Sequence, residues 1–168
     1  SVISKIFAMQ NKIEEVMMFI DIDEKDAEMT QQMLLNLPPM DFFKICLRKV
    51  KSVIINDEIF LHLAKNTNIA SILHDQTNIT ATGMTTVFEM ICKSKTPKTT
   101  NFCAPCDEVE QMINNSKCKD YSQWFMGTMY RIYQHIESGA TISFTETSES
   151  HYRMHFEKKK KKKSSSSW

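Results

Sequence analysis

The run Cys103-Ala104-Pro105-Cys106 is the part of the chain whose residue types and spacing most directly suggest chemistry. Two cysteines separated by two residues occur in disulfide-linked proteins, in zinc sites and in thiol redox centres. Three further cysteines, Cys46, Cys92 and Cys118, could take part in any of these kinds of site. The three hypotheses predict an extracellular ligand, a zinc module and an enzyme respectively, so the rest of the sequence has to separate them.

A structural zinc site is the alternative that the cysteines leave open, with Cys92, Cys103, Cys106 and Cys118 as ligands. Such sites usually combine two close cysteine pairs, and this chain has one. A thioredoxin-type centre needs the pair at a helix start beside a βαβ unit, where the helix dipole lowers the thiol pKa. No strand pattern precedes Cys103, so we predict no enzyme, no catalytic residue, no cofactor and no bound metal.

Disulfide linkage is the hypothesis that the sequence favours. The sequons Asn78-Ile79-Thr80 and Asn114-Asn115-Ser116 lie in polar segments and predict glycosylation of Asn78 and Asn114 in the secretory pathway. Five cysteines leave at least one thiol unpaired. Cys46 lies on the inner edge of a predicted helix and is expected to pair with Cys103 or Cys106. The competing interpretation of Cys46 is a buried thiol that packs as a small apolar side chain.

Composition favours an all-α fold in one domain. The 168 residues include three Gly, four Pro, twelve Met and ten Phe, whereas an all-β protein needs turn residues at short intervals. Without the run Lys158–Lys163 the chain is net acidic, which disfavours nucleic-acid binding because phosphate contacts depend on clustered Lys and Arg. No apolar run approaches the roughly 18 residues of a membrane span, so we predict no membrane insertion.

Apolar periodicity predicts four or five helices joined by long connections, as in bundles with crossover topology. The first helix spans Val2–Ile20. Others are predicted from Asp41, from Asn56 as N-cap, over Met84–Ile91 and over Tyr121–Ile136, with a short helical segment around Ala27–Leu35. Ile142–Thr147 has some strand character, and no internal repeat is evident. We therefore predict a four-helix bundle over 1–138, an irregular extension over 139–157 and a disordered Lys/Ser tail over 158–168.

Three blocks of the sequence resemble the short-chain four-helix cytokines of the interleukin-2/15/21 type. The most specific block is similar to the cysteine pair and last helix of interleukin-15 and interleukin-21, and comprises Cys103–Glu110, Asp120–Phe125 and Ile132–Ile136. The start of the chain and Phe43–Leu47 resemble the first and second helices. Pro39 stands where the family has a cysteine, and residues 56–81 are longer than the family's connection.

The resemblance implies a secreted, disulfide-linked, monomeric cytokine that binds and bridges receptor chains of the common γ chain type. It implies a Cys46–Cys106 bridge, with Cys92 or Cys118 pairing to Cys103. Receptor contacts are then expected on the outer faces of the first and last helices, at Glu14, Glu15, Gln123, Met126, Tyr130 and Gln134. Tyr is enriched among binding hot spots, and the competing interpretation of these residues is ordinary exposed surface.

Overall fold

The computed structural model describes residues 13–21, 24–48, 53–75, 77–147 and 150–161, which form one mixed sheet with helices on one side. Within these residues the strands are β1 Ile13–Asp21, β2 Met40–Arg48, β3 Thr67–Leu73, β4 Lys98–Pro105, β5 Cys118–Asp120, β6 Gln123–Phe125, β7 Thr128–His135, β8 Thr141–Glu146 and β9 His151–Lys158. The helices are α1 Ala27–Leu35, α2 Asp57–Asn66, α3 Ala81–Lys93 and α4 Cys106–Asn115, and a 3-10 turn at Glu24–Asp26 precedes α1.

This architecture contradicts the all-α four-helix bundle, and with it the resemblance to the interleukin-2/15/21 cytokines. The first predicted helix is β1 over its described part, and residues 1–12 lie outside the described residues. The helix predicted from Asp41 is β2, and the helix predicted over Tyr121–Ile136 consists of β6 and β7. Apolar residues in short runs satisfy a period of 2 as well as a period of 3.6, and here strand pairing decides between them.

Several local predictions are confirmed. α1 spans Ala27–Leu35, and residues 84–91 lie within α3. Asn56 is the N-cap of α2, since its side chain accepts a hydrogen bond from the Ile59 N–H. The strand character of Ile142–Thr147 corresponds to β8. The segment 139–157, expected to be irregular, contains β8 and most of β9, and Lys158 is the last residue of β9.

The first half of the sheet consists of consecutive βα units. β1, β2, β3 and β4 are parallel and adjacent in chain order. Met40 lies beside Ile13, 27 residues earlier, and beside Thr67, 27 residues later, while Thr99 lies beside Ile69, 30 residues earlier. A near-regular period of one strand and one helix is the geometry of a short solenoid. The strand–helix units therefore recur at similar intervals, although no internal repeat is evident in the sequence.

β9 connects this parallel half to an antiparallel half. It pairs antiparallel with β4, from Lys98 opposite Lys158 to Pro105 opposite His151, and with β8 along its other edge. β7 lies beyond β8 and pairs with β5 and with β6. The last of the described strands thus lies in the middle of the sheet.

One hydrophobic core fills the space between the helices and one sheet face. Phe43, Ile45 and Leu47 of β2 are buried in it, and the residues between them are only partly buried. The rings of Phe60, Phe102, Phe156 and Phe88 form a chain with centroid separations of 4.4, 4.9 and 5.2 Å. This chain joins α2, β4, β9 and α3, and each fully buried ring contributes about 1.5–3 kcal/mol to the hydrophobic stabilisation.

Carboxylates of neighbouring helices cap the start of α3. The two carboxylate oxygens of Asp57 accept hydrogen bonds from the Thr80 N–H and hydroxyl at 2.8 and 2.5 Å, and Glu108 accepts one from the Ala81 N–H at 2.6 Å. Negative charge is favourable at a helix N-terminus. A Cβ at Gly83 would lie 2.2 Å from Asp57 Oδ1, so glycine is required for this close approach.

Gly83→Ala is expected to destabilise the protein by about 1–3 kcal/mol, because the added methyl group overpacks the contact with Asp57. In an Asp57→Ala background the clash is absent, and the same substitution is expected to stabilise α3 by about 0.5–1 kcal/mol, the usual advantage of Ala over Gly in a helix. Chemical denaturation of the two single variants and the double variant measures this coupling. Thr82→Ala, at an exposed site one residue away, is the control. Equal costs in the two backgrounds would contradict the interpretation.

Candidate functional site

The sheet face opposite the helices is a candidate binding surface. Along the middle of β2, β3, β4 and β9 its residues are partly or fully exposed, and Cys103 near the end of β4 is buried. In its β1–β3 part Met17, Phe19 and Ile69 are 51%, 61% and 42% exposed, and the strand register places Glu15, Lys44 and Ser71 on the same face. Its β4, β9 and β8 part is polar, and strand register places Thr99, Asn101, Arg153, His155, Glu157 and Ser143 there. The face therefore offers exposed apolar side chains on β1 and β3 beside a polar strip on β4, β9 and β8 that carries both charge signs.

A three-residue hydrogen-bonded cluster organises the polar strip. His155 Nδ1 lies 2.5 Å from Asn101 Oδ1 on the neighbouring strand, and His155 Nε2 lies 3.3 Å from Glu157 Oε2. Both His155 and Glu157 are partly exposed, with 37% and 27% of their side-chain surface accessible. The imidazole is thus held in one orientation by partners on β4 and β9 while its edge faces solvent.

Ser143 and His155 are directly opposite each other on β8 and β9, which raises the question of nucleophilic catalysis. A serine nucleophile needs a histidine nitrogen that is free to accept its proton. Both ring nitrogens of His155 already face Asn101 and Glu157. The face is also an open sheet, whereas oxyanion stabilisation needs donors aimed into a sheltered site. This geometry suits binding better than catalysis.

The β6–β7 hairpin extends the sheet beyond its last core strand. Its turn contains Met126 at φ 48° and Gly127 at φ 77°, a left-handed pair typical of two-residue hairpin loops. Trp124, Phe125 and Met126 are 70%, 60% and 88% exposed. Phe125 and Tyr130 contact each other edge to face with centroids 6.4 Å apart. The hairpin is therefore a second exposed apolar surface.

Arg131 connects this hairpin to α4 through an ion pair. Its guanidinium makes a bidentate pair with Glu110, whose carboxylate also accepts a hydrogen bond from the Tyr152 hydroxyl at 3.2 Å. The Arg131 hydrogen bond lowers the pKa of Glu110, and burial raises the pKa of Tyr152. The guanidinium lies 4.6 Å from the centroid of the Phe144 ring, a cation–π contact. These contacts hold β7 and β9 against one helix.

The cysteines are all free thiols, so the predicted disulfide linkage is wrong for this structure. Cys103 is buried at the end of β4, and Cys106 begins α4. Burial raises the pKa of both thiols, which is opposite to what a redox centre of the thioredoxin type requires. Cys46 is partly buried on β2, on the side of the sheet away from the core.

The other two cysteines lie elsewhere. Cys92 and Cys118 line a cavity of about 610 Å³ beside the end of α3, together with His135 and Ser138. Lys158, at the edge of this cavity, donates to the Cys92 and Ser94 carbonyls at 2.6 and 2.7 Å and so caps α3. The described residues, which include all five cysteines, contain no group of three or more His, Cys, Asp or Glu placed to hold a metal ion. They therefore do not assemble the zinc site that was the alternative hypothesis.

The residues predicted to contact receptors do not lie on helices. Gln123 and Tyr130 are directly opposite each other in the β6–β7 hairpin, Met126 is in its turn, and Gln134 follows on β7. Glu14 and Glu15 are exposed on β1, at the far end of the strand order. The structure thus brings four of these residues into one region and separates the other two from it. Asn78 and Asn114 are exposed, and their glycosylation stays a prediction.

The sequence analysis missed the residues of the uncovered face, including Ile69, Asn101 and His155. The signal that could have found them is the step of two between buried residues, as in Phe43, Ile45 and Leu47. Such alternation is typical of a strand with one buried face. This alternation does not predict which strands pair with each other.

Comparisons with protein families, with curated proteins and with solved structures found no match for this chain. Among the described residues, no helix has the length and apolarity needed to cross a membrane.

Removing the Glu110 carboxylate is expected to destabilise the protein in a pH-dependent way. Because Arg131 holds the Glu110 pKa below its ordinary value of 4.5, the pair stabilises the folded state at neutral pH and loses this contribution as pH falls through the folded-state pKa. The loss in Glu110→Gln is expected to be about 0.5–1 kcal/mol at pH 7, since the pair is partly exposed. Denaturation from about pH 7 to about pH 3 should show the difference shrinking below about pH 4.5.

The control for this measurement is Glu137→Gln, an exposed carboxylate in the turn after β7. A difference between wild type and Glu110→Gln that stays constant down to about pH 3 would exclude the charge–charge contribution of the pair.

Proposed function

We propose that this chain is a protein-recognition module whose uncovered sheet face binds a segment of a partner protein. The observation that carries the proposal is the one-sided core: most buried apolar residues of the strands belong to one cluster with the helices, and the alternate mid-strand residues on the other face are partly or fully exposed. In solenoids of βα units, such as leucine-rich repeat arrays, the extended sheet surface is the one used for binding.

The chemistry of the face favours a protein over other partners. A nucleic acid requires clustered Lys and Arg, but Lys44 and Arg153 of this face lie on β2 and β9, which are not adjacent, and Glu157 shares the face with them. A lipid surface favours an uncharged apolar face, which the Asn101–His155–Glu157 cluster interrupts. A protein segment can contact Phe19 and Ile69 through its apolar side chains and contact this cluster through its polar groups. Exposed apolar residues in a contiguous patch commonly mark such interfaces.

Recognition of a protein partner is the part of the sequence-based prediction that we retain. The cytokine argument depended on a helical fold that this chain does not have. Receptor bridging, secretion and the absence of enzymatic activity stay predictions. The uncovered face needs no catalytic group to act in this way, because shape and polarity supply the specificity.

Peptides selected from a random library on the wild-type protein are expected to bind the uncovered face, because selection favours natural hot spots. Ile69→Asp, which places a charge among the exposed apolar side chains of β1 and β3, is expected to weaken their binding by about tenfold or more. Met29→Asp is the matched control, since Met29 is 56% exposed on α1. Binding constants from calorimetry, with denaturation curves to confirm folding, provide the measurement. Peptides that lose affinity for Met29→Asp but not for Ile69→Asp would contradict the proposal.

A further inference from the structure

The segment Tyr121–Tyr130 has a composition unlike the rest of the chain. It contains four aromatic residues and two Met but no charged residue, whereas charged residues are 24% of the whole sequence. Exposed large apolar side chains are concentrated in it: Tyr121, Trp124, Phe125, Met126, Met129 and Tyr130. Aromatic residues and Met are enriched in protein interfaces, and Lys, Glu and Asp are depleted. This segment therefore has the composition of an interface core, although it is exposed in the single chain.

The geometry of the segment leaves apolar side chains and one strand edge exposed to solvent. β6 pairs with β7 through Gln123–Tyr130, Trp124–Met129 and Phe125–Thr128, and no third strand lies beside β6 in the described part of the chain. Successive side chains point to opposite faces of this ribbon, so apolar side chains are exposed on both faces. The outer edge of β6 also presents backbone N–H and C=O groups. A strand added at this edge would cover apolar groups and satisfy backbone groups together.

We propose that β6 pairs antiparallel with β6 of a second copy of this chain across a two-fold axis, forming a dimer through the hairpin. A two-fold interface places a patch against its own copy, so like charges in the patch would repel each other. The segment Tyr121–Tyr130 has no charged residue, so no such repulsion opposes the dimer. The nearest charged residues, Asp120 and Arg131, lie just outside the segment. A lipid surface would cover the apolar side chains but leave the strand edge unsatisfied, because hydrocarbon cannot form hydrogen bonds.

The size of the patch sets the expected strength of the dimer. A stable interface buries about 800 Å² and about 20–30 residues per partner, and the ten residues of Tyr121–Tyr130 are fewer than this. A reversible dimer with a dissociation constant in the micromolar range, roughly 1–100 µM, is therefore expected. The dimer does not depend on the proposed function of the uncovered sheet face, because none of the residues assigned to that face lies in Tyr121–Tyr130.

Sedimentation velocity on the full chain, from about 2 to about 200 µM and with reductant because the thiols are free, tests the proposal. Wild type is expected to shift from monomer to dimer. Trp124→Lys and Trp124→Glu, at a 70% exposed site, are each expected to weaken self-association at least about tenfold, and their equimolar mixture is expected to restore it. Ile136→Lys, at a 74% exposed site outside the hairpin, is the control and is expected to dimerise as wild type.

Three results would overturn the proposal. Wild type that stays monomeric throughout the range shows that there is no such dimer, and its cosedimentation with phosphatidylcholine vesicles would then identify a lipid surface as the occupant. A dimer unaffected by both Trp124 variants would use another surface. Failure of the charge-swapped mixture to associate, with both variants folded by circular dichroism, would exclude a two-fold contact through β6.

Discussion

The pairing of β4 with β9 is the constraint on which the rest of this structure depends. Asn101 and His155, 54 residues apart in the chain, lie side by side in this ladder. On the core face the same ladder brings Phe102 beside Phe156, and these rings connect α2 with α3. Without β9, the edge of the parallel units would be open and β8 would have no partner on that side. The C-terminal strand thus completes both the core and the sheet.

Contacts at the two ends of the helices keep the βα units in register. At the N-terminal end Asp57 and Glu108 cap α3 from the helices on either side of it. At the C-terminal end Lys98 donates to the carbonyls of Ala64, Lys65 and Thr67, and Lys158 caps α3. Anions at helix N-termini and cations at C-termini both complement the helix dipole. Because all these contacts lie on the helical side, they order that layer and leave the opposite sheet face available.

Two exposed surfaces follow from this one-sided arrangement, and they differ in chemistry. The uncovered face combines the apolar residues of β1–β3 with the Asn101–His155–Glu157 cluster, so it suits a partner with mixed polarity. The segment Tyr121–Tyr130 of the β6–β7 hairpin has no charged residue, and β6 has an unpaired strand edge in the described part of the chain. The first surface is broad and belongs to the rigid sheet, and the second is narrow and anchored to α4 through Arg131 and Glu110. The two proposed surfaces share no residue, so occupation of one leaves the other accessible.

The sequence by itself determined the local signals that depend on near neighbours. Asn56 before α2, the apolar spacing within α3 and the short helix Ala27–Leu35 were all evident, because capping and helical periodicity act over three or four residues. Only the tertiary structure decided that Ile13–Asp21, Met40–Arg48 and Thr128–His135 are strands, since strand partners are distant in sequence and apolar runs fit either period. The candidate site could not be predicted from the sequence for the same reason. Asn101 becomes a neighbour of His155 only when β9 pairs with β4.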